Sequence, residues 1–430
     1  MIDFFANNHH FQEKSKEKFL NIFLILLSAI LCIRDIADIG INQFIILALM
    51  LIPLAVLSYS QVIYYACFIC VIIKGINSFI LLPVLFLLLN NCPKKKTIQF
   101  LPAIILLIIE LLDSLKYIEI KDYILYSLYM LTFFFLMFEK SNRIDFHKCL
   151  KYICYGLLLT LFITSVRVLK DPFALLAEGT AEYRGAMGFV EGQDVSTHFV
   201  LNANELAYYS VFLVSLLVLG YKKLQINRNI FIVAIIVSIG SGLLSQSRTW
   251  IIMSALIFIT CILVSKLKRK ISLAVISVIF CATAIYFFDE YIENAFNNIT
   301  ERFTKDNIET AGNRTVLFEE YNDFLLDNPE YLFNGTGALY YKEFAKVSNS
   351  THNATQQIIL CYGILGLIIY IYVSIYFLRH YRAKKLMIID YIPLIATIAF
   401  VQSIQFLNPY HLMLPVALST FSLRISDNEE

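Results

Sequence analysis

Apolar runs of about 15–20 residues, separated by short polar or basic stretches, recur along the whole chain of 430 residues. A bilayer core about 30 Å thick needs about 20 apolar residues per helix, and lipid offers no partner for unpaired backbone groups. Hydrophobic residues make up 58% of the chain and charged residues only 16%, whereas soluble domains are about one quarter charged. The sequence therefore predicts an all-α, polytopic integral membrane protein.

The apolar runs predict about 12–14 transmembrane helices, depending on whether the short runs 61–73 and 78–91 cross the bilayer or re-enter it. No internal repeat is evident, so we interpret residues 1–430 as a single membrane domain. No small-residue cleavage site follows the first run, which favours a retained helix over a signal peptide. The predicted segments are 19–33, 42–59, 61–73, 78–91, 98–115, 123–138, 150–166, 205–220, 230–246, 249–265, 271–288, 354–378, 387–406 and 411–423.

The basic residues indicate how the chain is oriented in the membrane. When the N-terminus is placed in the cytoplasm, every dense basic cluster falls on the cytoplasmic side, as the positive-inside rule requires. We therefore expect both termini in the cytoplasm. The clusters are 14–18, 94–96, 140–151, 222–228, 266–270 and 379–385.

Two long polar segments then lie outside the cell, at about 167–204 and about 289–353. Functional residues often lie on loops that a rigid scaffold positions, so these outer loops are expected to carry the site. The net charge of +2 gives no reason to expect a nucleic-acid partner. Most of the 9 cysteines lie inside apolar runs and they form no ladder of spacings, so neither a metal nor a cofactor is expected.

An arginine, Arg248, stands directly after Ser247 between two apolar runs. An arginine at the centre of a membrane helix costs about 2.5–3.5 kcal/mol on insertion scales, and less near the ends. The residue is therefore expected at the outer interface. It either extends to the lipid headgroups or binds an anion through its planar guanidinium.

A second arginine, Arg314, opens a short amphipathic pattern over 314–326 in the second outer loop. The arginine either pairs with Glu319 or Glu320 inside the loop, or supplies another anion-binding guanidinium above the membrane. The sequence alone leaves both interpretations open.

The first outer loop contains Arg184 and ends in Asn202, Asn204 and Glu205 at the start of an apolar run. An asparagine in this place is a common helix cap. Asparagine and glutamate at a helix mouth also suit sugar hydroxyls, because they offer both donors and acceptors. Arg184 is a third candidate for binding an anion.

The stretch 350–366, STHNATQQIILCYGILG, places His352 and Asn353 at the mouth of an apolar run. A helix N-terminus disfavours a protonated imidazole, so we expect a neutral His352 that can act as a base. At about 100° per residue, a regular helix would place Gly363 on the same face as His352, with Gly366 beside it. These small residues would admit another helix or a lipid chain. The alternative is a capping histidine above a glycine packing face.

Taken in order, these stretches resemble the O-antigen polymerase and O-antigen ligase superfamily, which are membrane glycosyltransferases of the bacterial envelope. The family signature is His-Asn, nine residues, Gly, two residues and then Gly, Thr or Tyr, and residues 352–366 match it in full. Ser247 and Arg248 resemble the family's Ser-Arg turn. Arg314 resembles the arginine of its large outer loop, and residues 202–205 resemble its Asn-rich span start. The resemblance covers about residues 180–378.

The resemblance implies a function and a mechanism. The chain would be a polymerase that joins undecaprenyl-pyrophosphate-linked oligosaccharides of an O-antigen, capsule or exopolysaccharide at the outer face of the bacterial cytoplasmic (inner) membrane. His352 would be the base, while Arg248, Arg314 and Arg184 would bind the pyrophosphate. The transfer would be inverting and independent of metal. Asn353, Asn202, Asn204, Glu205 and Ser247 would support the glycan or the helix mouths.

Two other functions remain open from the sequence. A ligase that transfers a glycan to lipid A core or to protein would share the motifs and the chemistry. A transporter or flippase for lipid-linked glycans would also have many helices and outward arginines, although such proteins usually carry broken helices in two matching halves. A chain-length regulator and a flippase are possible partners of a polymerase.

Overall fold

The computed structural model is helical, and among the described residues the only β-type pairing is an isolated bridge between Met187 and Leu201. The described residues are 2–90, 100–114, 120–139, 141, 143–170, 186–189, 197–264, 314–347, 351, 353–382, 386–404, 407 and 410–425.

The helices follow the apolar runs of the sequence. Short 3₁₀ turns extend several of them, at Pro53–Ala55, Ile73–Gly75, Ser78–Ile80, Tyr410–Leu412 and Thr420–Arg424. The α-helices are α1 (Ile2–Ile36), α2 (Gln43–Leu51), α3 (Tyr59–Ile72), α4 (Leu81–Asn90), α5 (Leu101–Ser114), α6 (Ile120–Phe138), α7 (Phe146–Leu169), α8 (Ala203–Leu217), α9 (Gly220–Lys223), α10 (Arg228–Leu244), α11 (Arg248–Val264), α12 (Arg314–Asp327), α13 (Tyr331–Asn334), α14 (Tyr341–Ala345), α15 (Ala354–Arg382), α16 (Ile388–Val401) and α17 (Met413–Ser419).

Four helical segments among the described residues are long and apolar enough to cross a membrane: Glu13–Ile36, Ile120–Phe138, Phe146–Leu169 and Ala354–Tyr376. Shorter apolar helices correspond to eight further predicted segments. The predicted segment 411–423 contains only the short α17 flanked by 3₁₀ turns, and 271–288 lies outside the described residues. The prediction of an all-α membrane protein is therefore confirmed.

Hydrogen bonds and ion pairs between helix ends show that the helices alternate in direction. At one end, Lys148 Nζ lies 2.6 Å from Glu17 Oε2 and Lys223 Nζ lies 2.9 Å from Asp390 Oδ1. We call this the basic end. Arg424 donates to the carbonyl of Glu139 at the same end, so the last described residues of the chain also lie there.

The opposite end, which we call the motif end, holds the starts of α8, α11 and α15 and the ends of α1, α7 and α16. The helices α8, α11 and α15 each begin at a motif singled out in the sequence. The alternation therefore collects the polar motifs at the end opposite the ion pairs of Lys148 and Lys223.

The short helix α3 forms the centre of the bundle. Its 14 residues span about 21 Å at about 1.5 Å per residue, which is less than the bilayer core. Every side chain from Gln61 to Ile72 is buried by protein. The adjacent α7 donates a hydrogen bond from Thr160 Oγ1 to the carbonyl of Val71 at 2.9 Å. The neighbouring helices thus enclose α3 over its length.

Candidate active site

The motif helix α15 is interrupted at Gly363, where φ is 58° and ψ is −155°. These angles lie outside the helical region, and only glycine adopts them at little cost. The expectation of a regular helix running from the mouth past Gly363 is therefore wrong. Because the helix is interrupted at Gly363, the rotation of about 100° per residue cannot be used to place residues 352 and 363 on the same helix face.

The break frees carbonyl groups of α15, and a segment between α13 and α14 binds them. Thr336 N donates to the carbonyl of Leu360 at 2.8 Å, and Gly337 N donates to the carbonyl of Cys361 at 2.9 Å. Thr336 Oγ1 adds a bond to the same Leu360 carbonyl at 3.0 Å. A buried backbone carbonyl without a partner is costly, so this docking stabilises the break.

Two glycines allow the two backbones to approach each other. A Cβ atom at Gly363 would lie 2.4 Å from the carbonyl oxygen of Phe333, and one at Gly335 would lie 2.3 Å from that of Cys361. Gly366 is crowded within its own helix, since its Cβ would lie 2.4 Å from Tyr362 Cβ. Gly363 therefore faces the loop that precedes the helix, rather than a second membrane helix or a lipid chain.

A buried carboxylate holds the other side of the docked segment. Glu110 of α5 accepts hydrogen bonds from Ala338 N at 2.6 Å and from Leu339 N at 3.0 Å. The residue is fully buried. Sequence reasoning missed it, although an acidic residue inside the apolar run 98–115 was a usable signal, because such residues are expensive in a membrane.

We expect Glu110→Gln to loosen the segment that docks on α15. The amide keeps one acceptor oxygen but turns a donor group toward one of the two N–H groups. An unsatisfied buried donor costs about 1–3 kcal/mol. Limited proteolysis should then cut within 314–347 faster than in wild type. Glu320→Gln, which changes an exposed glutamate of α12, should leave cleavage unchanged, and equal cleavage of all three proteins would contradict the anchoring role.

The amphipathic helix α12 lies against the mouth of α15. Gln356 Nε2 donates to the carbonyl of Phe318 at 2.9 Å and to Asn322 Oδ1 at 3.2 Å. Burial raises the pKa of the Tyr321 hydroxyl above its usual range, so this side chain stays neutral. The helix that Arg314 begins is therefore fixed over the mouth, although the Arg314 side chain itself lies outside the description.

The mouth of α15 is built by polar side chains around position 352. Asn353 Oδ1 accepts a hydrogen bond from Gln356 N at 2.9 Å, which caps the first turn of the helix. Thr351 Oγ1 donates to Gln356 Oε1 at 2.7 Å. His352 lies outside the described residues, but its two neighbours are held at the mouth.

Arg248 begins α11 after a tight turn in which Gln246 has a φ of 48°. The arginine is half-buried and Ser247 is buried. Two residues on, Trp250 Nε1 donates to Ser210 Oγ of α8 at 2.7 Å. The turn is therefore fixed against α8 at the motif end.

The start of α8 is a capping box, in which Glu205 N donates to Asn202 Oδ1 at 2.8 Å and Asn202 N donates to Glu205 Oε2 at 3.0 Å. Asn204 is half-buried. The other oxygen of the buried Glu205 lies 3.6 Å from His411 Nε2, which has no hydrogen-bond partner in the described part of the chain. The geometry assigns Asn202 and Glu205 to the helix cap. Sequence reasoning did not identify His411.

The end of α16 connects these parts of the site. Gln402 Oε1 accepts from Thr355 Oγ1 of α15 at 3.1 Å, and the rings of Phe400 and Tyr208 are 5.5 Å apart. The structure thus brings the helices headed by Arg248, Asn202, Arg314 and Asn353 to one end of the bundle. Arg184 lies outside the described residues.

An apolar cavity of about 280 Å³ extends from this mouth along α15. It lies between α6, α15, α16 and α17, and its wall runs from Ala354 at the mouth to Ser374. The walls are almost wholly hydrocarbon, with Phe134, Ile369 and Met413 among the lining residues. Such a cavity can hold an apolar chain whose polar head remains at the mouth.

These features define a multi-pass, all-α membrane protein with a polar mouth above an apolar cavity. Residues 232–371 match the family model described as O-antigen ligase. The match covers less than half of the chain. It supports the resemblance to the O-antigen polymerase and ligase superfamily that the motifs carried, and it indicates membrane processing of O-antigen-related glycans. Comparison with curated proteins found no match. The matched segment contains Arg248, Arg314 and His352, whereas Arg184 and residues 202–205 precede it.

Proposed function

We propose that this protein is a glycan polymerase that joins oligosaccharide repeat units carried on undecaprenyl pyrophosphate. The observation that carries the proposal is the apolar cavity along α15, which reaches the mouth of that helix at Ala354 and Gln402. A lipid-linked glycan has the matching parts: a long hydrocarbon chain, a diphosphate and a hydrated sugar. Its diphosphate would lie at the mouth.

The proposed orientation places the motif end outside the cytoplasmic membrane of a bacterium. The described lysines at Lys148 and Lys223 lie at the basic end, which the positive-inside rule assigns to the cytoplasm. Lipid-linked repeat units would then reach the mouth of α15 from the outer leaflet. Both termini would be cytoplasmic.

The proposed reaction is a direct displacement at the anomeric carbon of the donor. His352 would take the proton of the acceptor hydroxyl as its oxygen attacks that carbon. The bond between the anomeric carbon and the pyrophosphate oxygen breaks, and the lipid pyrophosphate leaves with the electron pair. Arg248 and Arg314, with Arg184 as a third, would stabilise the negative charge that develops on it. One displacement inverts the anomeric centre, and arginines in this role make a metal unnecessary.

We expect Ile369→Trp to impair the use of long isoprenoid donors. Ile369 lines the cavity, so the indole would occupy the space proposed for the lipid chain. The KM for an undecaprenyl-linked donor should rise at least about tenfold, which corresponds to about 1.4 kcal/mol of lost binding. A water-soluble short-chain donor should be affected much less.

The adjacent Ile368→Trp is the matched control for this variant. Ile368 belongs to the same helix and is 56% exposed on its outer surface, so the same substitution leaves the cavity open. Rates measured with purified protein should be close to wild type for Ile368→Trp. Equal KM values for both variants would place the lipid chain elsewhere.

A ligase remains the second candidate, because the matching family model is described as O-antigen ligase. The proposed chemistry is the same, and only the acceptor differs: lipid A core or a protein in place of a second lipid-linked unit. The helix break at Gly363 is one feature that would also fit a transporter. However, transporters of that kind bind substrate near the bilayer midplane, whereas the polar groups described above collect at one end.

A further inference from the structure

A second cavity lies at the motif end, and most of its described wall comes from α1 and α2, which carry no residue of the proposed reaction. Its volume is about 260 Å³, and it opens between the end of α1, the start of α2 and the loop around His198. The described lining residues include no carboxylate and are Arg34, Ile41, Asn42, Gln43, Phe44, Thr197 and His198. Arg248 and Asn353 belong to other helices, so this cavity is separate from the candidate active site.

Arg34 supplies a buried guanidinium to this cavity. The residue is 2% exposed. Its Nε donates to Asp35 Oδ2 at 2.7 Å and its Nη2 donates to the carbonyl of Gly75 at 2.6 Å. Within the described part of the chain, its Nη1 makes no hydrogen bond.

The carboxylate beside Arg34 is already shared with a second arginine. Asp35 Oδ1 lies 3.0 Å from Arg167 Nη1 and also accepts from Phe199 N at 3.3 Å. One buried carboxylate therefore serves two buried guanidinium groups. The nearby Asp38 forms an ion pair with Lys170. Among the described residues, these ion pairs set three basic groups, Arg34, Arg167 and Lys170, against the carboxylates of Asp35 and Asp38.

The start of α2 also faces this cavity. Asn42 caps the helix by accepting from Phe44 N at 2.8 Å, and Asn42, Gln43 and Phe44 all line the cavity. In α2 the N–H groups of Ile45 and Ile46 also bond to Asn42, through its carbonyl. The start of this helix therefore contributes chiefly the positive end of the helix dipole. An arginine and a helix N-terminus that face one cavity are together suited to a phosphate.

The surroundings of the cavity indicate that the phosphate belongs to a lipid. Phe44 and Ile45 are 64% and 56% exposed on α2, an apolar helix whose outer surface suits lipid. A headgroup at the start of α2 would have its hydrocarbon chains beside these side chains. We infer that the cavity beside Arg34 binds the phosphate headgroup of a membrane lipid, either an isoprenoid phosphate or an anionic phospholipid.

Gln43→Glu tests this site without removing a buried charge. Glutamate in the first turn favours the helix, so the fold should be retained, but its carboxylate would face the bound phosphate. The full chain would be titrated in detergent with undecaprenyl phosphate, with phosphatidylglycerol and with diacylglycerol, and the bound lipids counted by native mass spectrometry. Asn229→Glu, an exposed residue in the first turn of α10 at the basic end, is the matched control.

We expect Gln43→Glu to bind one phosphate lipid fewer per chain than wild type, with affinity at that site reduced about tenfold by charge repulsion. Asn229→Glu should match wild type, and diacylglycerol should not compete. Preferential loss of undecaprenyl phosphate identifies an isoprenoid site, and equal loss of phosphatidylglycerol identifies a phospholipid site. Undiminished binding of both phosphate lipids by Gln43→Glu would overturn the inference. Because binding is measured without a glycan, failure of the proposed transfer reaction would not affect this result.

Discussion

Replacement of His352 by alanine should reduce glycan transfer by about 10²–10⁴-fold, the range that a positioned general base contributes. The protein should still fold and insert, because the cap of α15 is formed by Asn353 and the mouth is held by Thr351 and Gln356. In a bacterium that depends on this gene for its polymer, the variant should give single repeat units in place of a ladder on a gel. Membrane levels of the protein should match wild type.

His147→Ala provides the matched histidine control. His147 begins α7 at the basic end, where its Nδ1 lies 2.7 Å from the carbonyl of Lys223. Loss of this contact should change stability by about 1 kcal/mol and leave the polymer ladder intact. A full ladder from His352→Ala would exclude the base assignment. Loss of the ladder in both variants would point to a folding defect.

The second large effect is expected for Gly363→Ala. Alanine at a φ of 58° is strained, and its Cβ would lie 2.4 Å from the backbone of Phe333. Strained backbone and overpacking each cost about 1–3 kcal/mol. The segment that carries α12 should therefore separate from α15. Transfer should fall to background, and the apparent melting temperature in detergent should drop.

Gly240→Ala tests whether any glycine-to-alanine change in a membrane helix has this effect. Gly240 lies inside α10, and no atom lies within 4 Å of the position that a Cβ would take there. Alanine favours a helix over glycine by about 0.5–1 kcal/mol, so this variant should be at least as stable as wild type. Normal transfer by Gly363→Ala would show that docking at the break is unnecessary for function.

The membrane helices could be predicted from the sequence because lipid enforces a simple rule. Every backbone group must be paired within its own helix, so apolar runs mark helices directly. Even the short α3 was located, although its length alone did not indicate that protein would enclose it. The basic clusters predict which end of the bundle faces the cytoplasm, and this orientation stays a prediction.

The arrangement of the candidate site was only partly accessible to sequence reasoning. The motifs at Arg248, Arg314 and Asn353 start helices, and alternation brings those starts to one end of the bundle. The break at Gly363 could not be predicted, because a glycine in an apolar run is compatible with a continuous helix. The break depends on the segment at Thr336, whose docking is a tertiary event.

Isolated polar residues were the other features that the pattern did not reveal. Glu110, Arg34 and His411 belong to none of the motifs, and each lies beside residues from distant parts of the chain. Asn202 and Glu205 show the reverse case. The capping interpretation and the sugar-binding interpretation fitted the sequence equally well, and the hydrogen-bond geometry favours the cap.

The most direct test of the proposed polymerase is a reaction with purified protein and a single lipid-linked repeat unit in the presence of EDTA. The account predicts a ladder of longer lipid-linked glycans with inverted linkages, together with release of undecaprenyl pyrophosphate. The ladder should be lost with His352→Ala. A protein that extends no chain under these conditions, yet transfers the same glycan to lipid A core or to a protein acceptor, would contradict the polymerase assignment.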